Sequence, residues 1–279
     1  MINNPDITFH DGRHAPQLGC GVWQIDDDIA PGIISTALNL GYRRIDTAAM
    51  YHNERGVGAG LRDSGLPRDD VFIATKVWNT DHGHQETRQA FETSLDKLGL
   101  DYVDLYLIHW PVPKENKYVD AWETMIQLRD EGLARSIGVC NFNIGHLETL
   151  LDATGVIPVV NQIELHPHFQ QASLRAFHAE HDIRTEAWSP LGQGSLLRHP
   201  ELQDLARKHD RTVAQIVLRW HRQLGNMAIP KSVKASRLAE NLQIADFELS
   251  AADMQQIAAM DQTDGRLGPD PQLFRLPHG

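Results

Sequence analysis

VFIATKVWNTDHGHQETRQAFETSLDKLGLDYVDLYLIH, residues 71–109, is the stretch that decides the fold. It opens on a short β-branched and aromatic run, VFIATK (71–76), and closes on a second, VDLYLIH (103–109). Between them, Gln85 to Leu98 carries Phe91, Leu95 and Leu98 at helical spacing. Gly99 follows at the point where a helix ends on a left-handed residue. Strand, helix, strand in that order is a βαβ unit, and such units build parallel sheets. Both strands end on a polar side chain, Lys76 and His109, that has little packing reason to close an apolar run.

The pattern repeats outward from this unit. Further strand-like runs are QLGCGV (17–22), YRRIDT (42–47), SIGVCN (136–141), PVVNQIE (158–164), IRTEAWS (183–189) and MAIPK (227–231). Helix-like stretches lie between them around Ile33 to Leu40, Ala121 to Arg129 and Val213 to Arg222. Gly41, Gly132 and Gly225 fall where such helices need a left-handed C-terminal residue, and Asp26 to Asp28 read as caps or first-turn charges of the first helix. The interval from Trp188 to Met227 is long enough for two helical pieces.

About eight strands alternating with helices, without a composition break, leave two parallel architectures. An open doubly wound sheet normally carries GxGxxG on its first turn; here the first strand yields only GCGVW (19–23). Polar residues instead close most of the strands: Asp46, Lys76, His109, Asn141, Gln162 and Glu164, Ser189, Lys231. A site spread over all strand ends is the expectation for a (β/α)8 TIM barrel, and residues 1–279 read as one such domain. Ile7 to Phe9 and the residues after Asp11-Gly12 read as an N-terminal β-hairpin with a type I′ turn, placed to plug the barrel bottom. The Gly- and Pro-rich tail from Asp264 reads as a loop over the pocket.

Composition narrows the function. The net charge of −11, from 26 basic and 37 acidic side chains, disfavours nucleic-acid or anionic-membrane partners, so an anionic ligand needs a local basic patch. No run approaches the roughly 20 apolar residues of a membrane span, and MINNPDITFHDG lacks the pattern of a signal peptide. Cys20 and Cys140, each in an apolar run, do not make a disulfide scaffold, and a reducing cytoplasm is the expected compartment.

Asp46, Tyr51, Lys76 and His109 have the chemistry of a proton-donating site. A carbonyl accepting hydride needs its oxygen protonated as charge develops. A phenol near pKa 10 is a sluggish donor; an ammonium beside it lowers that value, and a carboxylate keeps the amine charged. His109 can orient the carbonyl. HPH (166–168) and DHGH (81–84) show no convergent second ligand cluster in sequence, and no metal is expected.

These motifs resemble the aldo-keto reductase family. GYRRIDTAAMYHNERGVG (41–58), KVW (76–78), LIHWP (107–111), SIGVCNF, NQIELHP and IPKSVKASRLAENL (229–242) carry the likeness from Gln17 to about Met260. EAWSPLGQG (186–194) makes it closest to the bacterial 2,5-diketo-D-gluconate reductase-like branch. The resemblance implies Tyr51 as general acid, Lys76 and Asp46 as its tuning pair and His109 as the carbonyl-orienting group. It implies NADPH as cofactor, with Asn141 and Gln162 on the nicotinamide carboxamide and Trp188 stacked on the ring. The loop residues Ser189, Leu191, Gln193 and Gly194 belong to the same cofactor set. Lys231, Ser232, Val233, Lys234, Arg237, Glu240 and Asn241 would hold the adenosine 2′-phosphate end, where barrel enzymes often bind phosphate. Cys140 stands where the family commonly has serine, and a thiol is the weaker donor.

Trp23, Trp78 and Trp110 with His109 are the expected substrate walls, and the short loop 111–117 suggests an open pocket. The resemblance implies a monomer reducing a small carbonyl such as 2,5-diketo-D-gluconate, methylglyoxal or a keto ester. The histidine at 109 points away from steroid double-bond reduction, which the family performs with glutamate there. The competing reading is an NADP(H)-binding redox sensor of low turnover, resembling potassium-channel β-subunits. A cofactor-free barrel isomerase or hydrolase leaves Trp188 and the late basic motif unexplained.

Overall fold

The computed structural model describes residues 4–275. A two-stranded antiparallel hairpin, β1 (Asp6–Thr8) and β2 (His14–Pro16), precedes eight parallel strands. These are β3 (Cys20–Gly21), β4 (Arg44–Asp46), β5 (Phe72–Val77), β6 (Val103–Ile108), β7 (Ala134–Cys140), β8 (Val160–Glu164), β9 (Arg184–Trp188) and β10 (Met227–Ala228). They pair in sequential order, and a parallel bridge between Leu18 and Ala228 closes the ring. Helices α1 (Ala30–Asn39), α2 (Glu54–Asp63), α3 (His84–Leu98), α4 (Tyr118–Asp130), α5 (Ile144–Thr154) and α6 (Ala172–Glu180) alternate with the strands. The long interval after β9 holds α7 (Pro200–His209) and α8 (Val213–Gln223); α9 (Ala235–Leu242) and α10 (Ala251–Ala258) follow β10. The expected (β/α)8 barrel is therefore the fold. Among the described residues no helix is long and apolar enough to cross a membrane.

Strand alternation divides the core. Ile45, Ile73, Val77, Tyr106, Ile108, Val139 and Ile163 face outward and bury against the helices, while Phe72, Ala74, Leu105, Leu107, Val160 and Met227 fill the barrel interior. Phe9 and Ala15 of the hairpin join that interior cluster, with Phe9 edge-on to Phe72 at 6.3 Å between ring centroids. Phe72, Val160 and Arg184 begin their strands, and Arg184 donates to the carbonyl of Thr8, so the hairpin closes the N-terminal end as expected. Its turn differs from expectation. Only Gly12 has positive φ, +82°, whereas a type I′ turn needs both central residues there. Gly12 N–H donates to Phe9 O and Phe9 N–H to Arg13 O, giving a longer connection between Thr8 and His14.

Two sequence features acquire different reasons. Asp26 to Asp28 do not cap α1, which starts without a side-chain cap or first-turn acid; Asp27 instead accepts from Gly56 N–H and ties α2 down. The glycines of GCGVW, too few for a GxGxxG turn, make room for packed neighbours. A Cβ on Gly19 would lie 2.6 Å from Nε of the buried Arg44, and one on Gly21 would lie 2.8 Å from Ile229 O.

Candidate active site

The quartet meets at the C-terminal end of the barrel. Asp46 and Lys76 lie on the neighbouring strands β4 and β5, and both side chains are buried. Lys76 Nζ donates to Asp46 Oδ1 at 2.5 Å, to Thr47 O at 2.8 Å and to the Tyr51 hydroxyl at 3.3 Å. Tyr51 sits on a single 3-10 turn after β4 (Ala49–Tyr51). Asn53 fixes that turn: it accepts from the Thr47 hydroxyl and donates to Val22 O and Ile25 O. This explains the AAMYHNE spacing, since the chain must leave the strand, present the phenol and be pinned within a few residues.

His109 follows β6, edge-on to Tyr51 at 5.6 Å and to Trp78 at 5.1 Å. Burial, then Lys76, pushes its pKa well below the ordinary value, so the imidazole is neutral. Its buried Nδ1 has no partner among the described residues. His109 is therefore not a satisfied core histidine, and Nε2 is left for a ligand.

Burial, the largest single effect, would lower the pKa of Lys76, but the Asp46 carboxylate together with Tyr51 and Cys140 outweighs it and holds the ammonium well above its usual value. Tyr51 corrects the sequence expectation. Lys76 does pull its pKa down, yet desolvation is the larger effect and Asp46 opposes Lys76, so the phenol is pushed up to about 12. In the free protein Tyr51 is a firmly protonated donor rather than an activated one.

The residues expected on the cofactor side are wired into the quartet. Trp188 Nε1 donates to Asn141 Oδ1 at 2.7 Å, and Asn141 Nδ2 donates to His109 O at 2.9 Å. Gln162 Nε2 donates to Asp46 Oδ2 at 2.8 Å and to Glu186 Oε2 at 3.1 Å. Cys140 ends β7 inside the barrel, and burial pushes its thiol well up despite Lys76, so it stays a neutral thiol. Ser189, Leu191, Gln193 and Gly194 follow β9, and Ser189, Gln193 and Gly194 have positive φ. Lys231, Val233, Lys234 and Arg237 are exposed and Ser232 is buried after the adjacent β10. No ion pair engages Lys231, Lys234 or Arg237 among the described residues. Asn241 is buried on α9, whereas Glu240 accepts from the Thr212 hydroxyl at 2.8 Å and so also serves the start of α8.

Trp23, Trp78 and Trp110 follow β3, β5 and β6 around the mouth; Trp23 is exposed and Trp110 buried. Trp110 is buried because Phe274 of the tail stacks on it at 4.6 Å and 11°. The tail thus lies over the mouth, and the pocket is less open than the short 111–117 loop suggested. Buried Glu164 anchors this tail: its carboxylate accepts from Leu267 N–H, Gly268 N–H and His166 Nε2. A Cβ on Gly268 would meet the six-membered ring of Trp188 at 2.7 Å, so only glycine passes there. The final residues of the tail, 276–279, lie outside the described residues.

Sequence reasoning missed Phe274, the anchoring role of Glu164, and the buried Arg44–Glu186 pair, 2.8 Å apart. The tail's Leu-Phe dipeptide was a signal for the first; the pair spans strands far apart in sequence and left none. DHGH also needs correction: His84, at the start of α3, does converge with Asp120 and Glu123 of α4, ligand atoms within 4.8 Å of one another.

A family model described as "Aldo/keto reductase family" matches residues 15–262. The chain belongs to the aldo/keto reductase family. An aldo-keto reductase of Mycolicibacterium smegmatis is 52% identical over 273 residues, covering 98% of this chain and 99% of that one. Methylglyoxal reductase DkgA of Escherichia coli is 52% identical over 276 residues, at 98% and 99% coverage. Among solved structures, a Gox0644 mutant in complex with NADPH superposes with TM-score 0.95 at 49% identity, covering 98% and 99% of the two chains. This aldo/keto reductase thus shares its fold and most of its length with members of the bacterial diketo-gluconate reductase-like branch.

Proposed function

We propose that the protein reduces a small aldehyde or ketone with NADPH, Tyr51 donating the proton, and that its residues work as one cytoplasmic, monomeric barrel domain. The observation that carries this is the buried Asp46–Lys76–Tyr51 chain ending beside a neutral His109 with an unpartnered nitrogen. The donor set fits the cofactor. A half-buried Trp188 offers a flat face, a left-handed loop follows it, and three exposed cations without carboxylate partners among the described residues suit a 2′-phosphate. When bound, the dihydronicotinamide supplies hydride to the carbonyl carbon.

The chain's own residues do the rest. His109, through Nε2–H, and the Tyr51 hydroxyl hold the carbonyl oxygen, and Tyr51 gives up its proton as that oxygen gains charge. Lys76, 3.3 Å from the phenol oxygen, stabilises the phenolate left behind. Asp46 keeps Lys76 charged and fixed. Gln162 and Asn141 orient the carboxamide, and Arg237, Lys231 and Lys234 hold the 2′-phosphate. Trp23, Trp78, Trp110 and the Phe274-bearing tail enclose an apolar face of the substrate and exclude water.

Methylglyoxal is the first substrate to try, because a relative at 52% identity bears the name of its reductase. A panel of methylglyoxal, 2,5-diketo-D-gluconate and keto esters, followed by NADPH oxidation, tests the reading. Turnover of at least one member is expected; tight NADPH binding without turnover of any would support the sensor instead.

A further inference from the structure

The barrel interior holds an ion pair that no step above uses. Arg44 and Glu186 are each 1% exposed; Arg44 lies two residues before Asp46 on β4, and Glu186 on β9 pairs in register with Gln162. Arg44 Nη2 reaches Glu186 Oε1 at 2.8 Å as well as Ala228 O, while its buried Nε and Nη1 have no partners among the described residues. A buried pair with unfilled donors is weak evidence for stability, since desolvation offsets its attraction. Its other contact is more informative. Glu186 Oε2 and Asp46 Oδ2 flank the amide nitrogen of Gln162, at 3.1 and 2.8 Å. Two carboxylates accept only from an NH2 group, so the amide has one orientation, with both N–H bonds spent inside the protein and Oε1 left over.

We propose that Glu186, held by Arg44, is a positioning residue that locks Gln162 with its oxygen toward the nicotinamide carboxamide. The site then recognises the carboxamide through its N–H, and a cofactor without that N–H is discriminated against. This rests on the reading of Gln162 as a carboxamide holder. Arg44 fixes which Glu186 oxygen faces Gln162. In Glu186→Gln, Arg44 keeps the remaining oxygen, so the new NH2 faces the Gln162 NH2, donor against donor. The Gln162 amide then loses its single orientation.

The probe is the 3-acetylpyridine analogue of NADP, whose methyl ketone keeps the carbonyl oxygen and lacks the N–H. Dissociation constants for NADP and the analogue are measured by quenching of protein fluorescence. The wild type should bind the analogue about tenfold more weakly, the value of one lost hydrogen bond. Glu186→Gln should cut that ratio at least threefold, whatever happens to overall affinity; weakening of both ligands with the ratio intact would overturn the proposal. Should Glu186→Gln fail to fold with Arg44 unpaired, the double variant Arg44→Met, Glu186→Met removes the pair and half of the Gln162 anchor, and the ratio should fall there too. Gln162→Met separates the layers. If it leaves the ratio intact, the carboxamide reading fails; if it abolishes the ratio while Glu186→Gln does not, only the role of Glu186 fails.

Discussion

Asp46→Asn is the most instructive single perturbation of the buried chain. In the native protein both carboxylate oxygens accept, Oδ1 from Lys76 Nζ at 2.5 Å and Oδ2 from Gln162 Nε2 at 2.8 Å. An amide of the same shape has one acceptor, so whichever way it turns, an NH2 confronts either the ammonium or the Gln162 amide. Thr47 O and the Tyr51 hydroxyl remain around Lys76, but no charge compensates it. Breaking a buried pair by removing one partner costs about 3–5 kcal/mol. For a chain of this length each kcal/mol moves the melting temperature by roughly 2–4 °C, so a fall of about 10 °C is expected at pH 7.

The pH dependence of that loss has a definite sign. Asp46 raises the folded pKa of Lys76, so the pair's contribution is fully present below the amine's unfolded value of 10.5 and is lost as pH rises above it. Without the carboxylate, burial drives the folded pKa below 10.5, so the penalty is full at low pH, where the folded protein must hold a buried ammonium, and fades as pH rises toward 10.5. Urea unfolding of wild type and variant from pH 6 to 10 reads this. The gap should narrow toward pH 10; a gap below about 1 kcal/mol, or one independent of pH, would refute a charged, carboxylate-dependent Lys76.

Other consequences are equally direct. Arg237→Ala should weaken NADPH binding by about 10- to 100-fold, the loss of a charge-assisted phosphate contact, with little change for NADH; equal losses for both in fluorescence titrations would remove Arg237 from the phosphate site. His82 is buried with both ring nitrogens unpartnered among the described residues, and burial lowers its pKa to about 4. The unfolded chain takes up its proton near 6.5, so this histidine erodes stability as pH falls from about 6.5 to 4, by about 3 kcal/mol at most. His82→Gln should flatten the acid limb of a melting-temperature profile over that range. Because the Tyr51 pKa is about 12, kcat/KM for carbonyl reduction should show no alkaline fall assignable to the free enzyme's phenol up to pH 9.5; a break near pH 8 would contradict a desolvated Tyr51.

The barrel was legible because most strand ends break a hydrophobic run with a polar residue, as Lys76 does after VFIAT and His109 after VDLYLI. Helix limits were legible through periodicity and through Gly41, Gly99, Gly132 and Gly225, all at positive φ. What stayed hidden depends on contacts between distant positions. Arg44 beside Arg43 reads as a polar pair on a strand, and only closure of β4, β8 and β9 around the interior brings it to Glu186. Asp27 looked like a cap because nothing local reveals Gly56 beside it. The sign of the net Tyr51 shift was hidden for the same reason: the neighbouring ammonium is visible in sequence, the desolvation that outweighs it is not.

The central claim is that Tyr51 delivers the proton. Tyr51→Phe keeps the ring that faces His109 and Lys76 and removes only the hydroxyl. Single-turnover reduction of an accepted carbonyl, measured alongside NADPH affinity, should show the rate fall by about 10²–10⁴-fold, the range for a positioned general acid, with affinity within a few-fold of wild type. A near-normal rate in that variant would contradict the account.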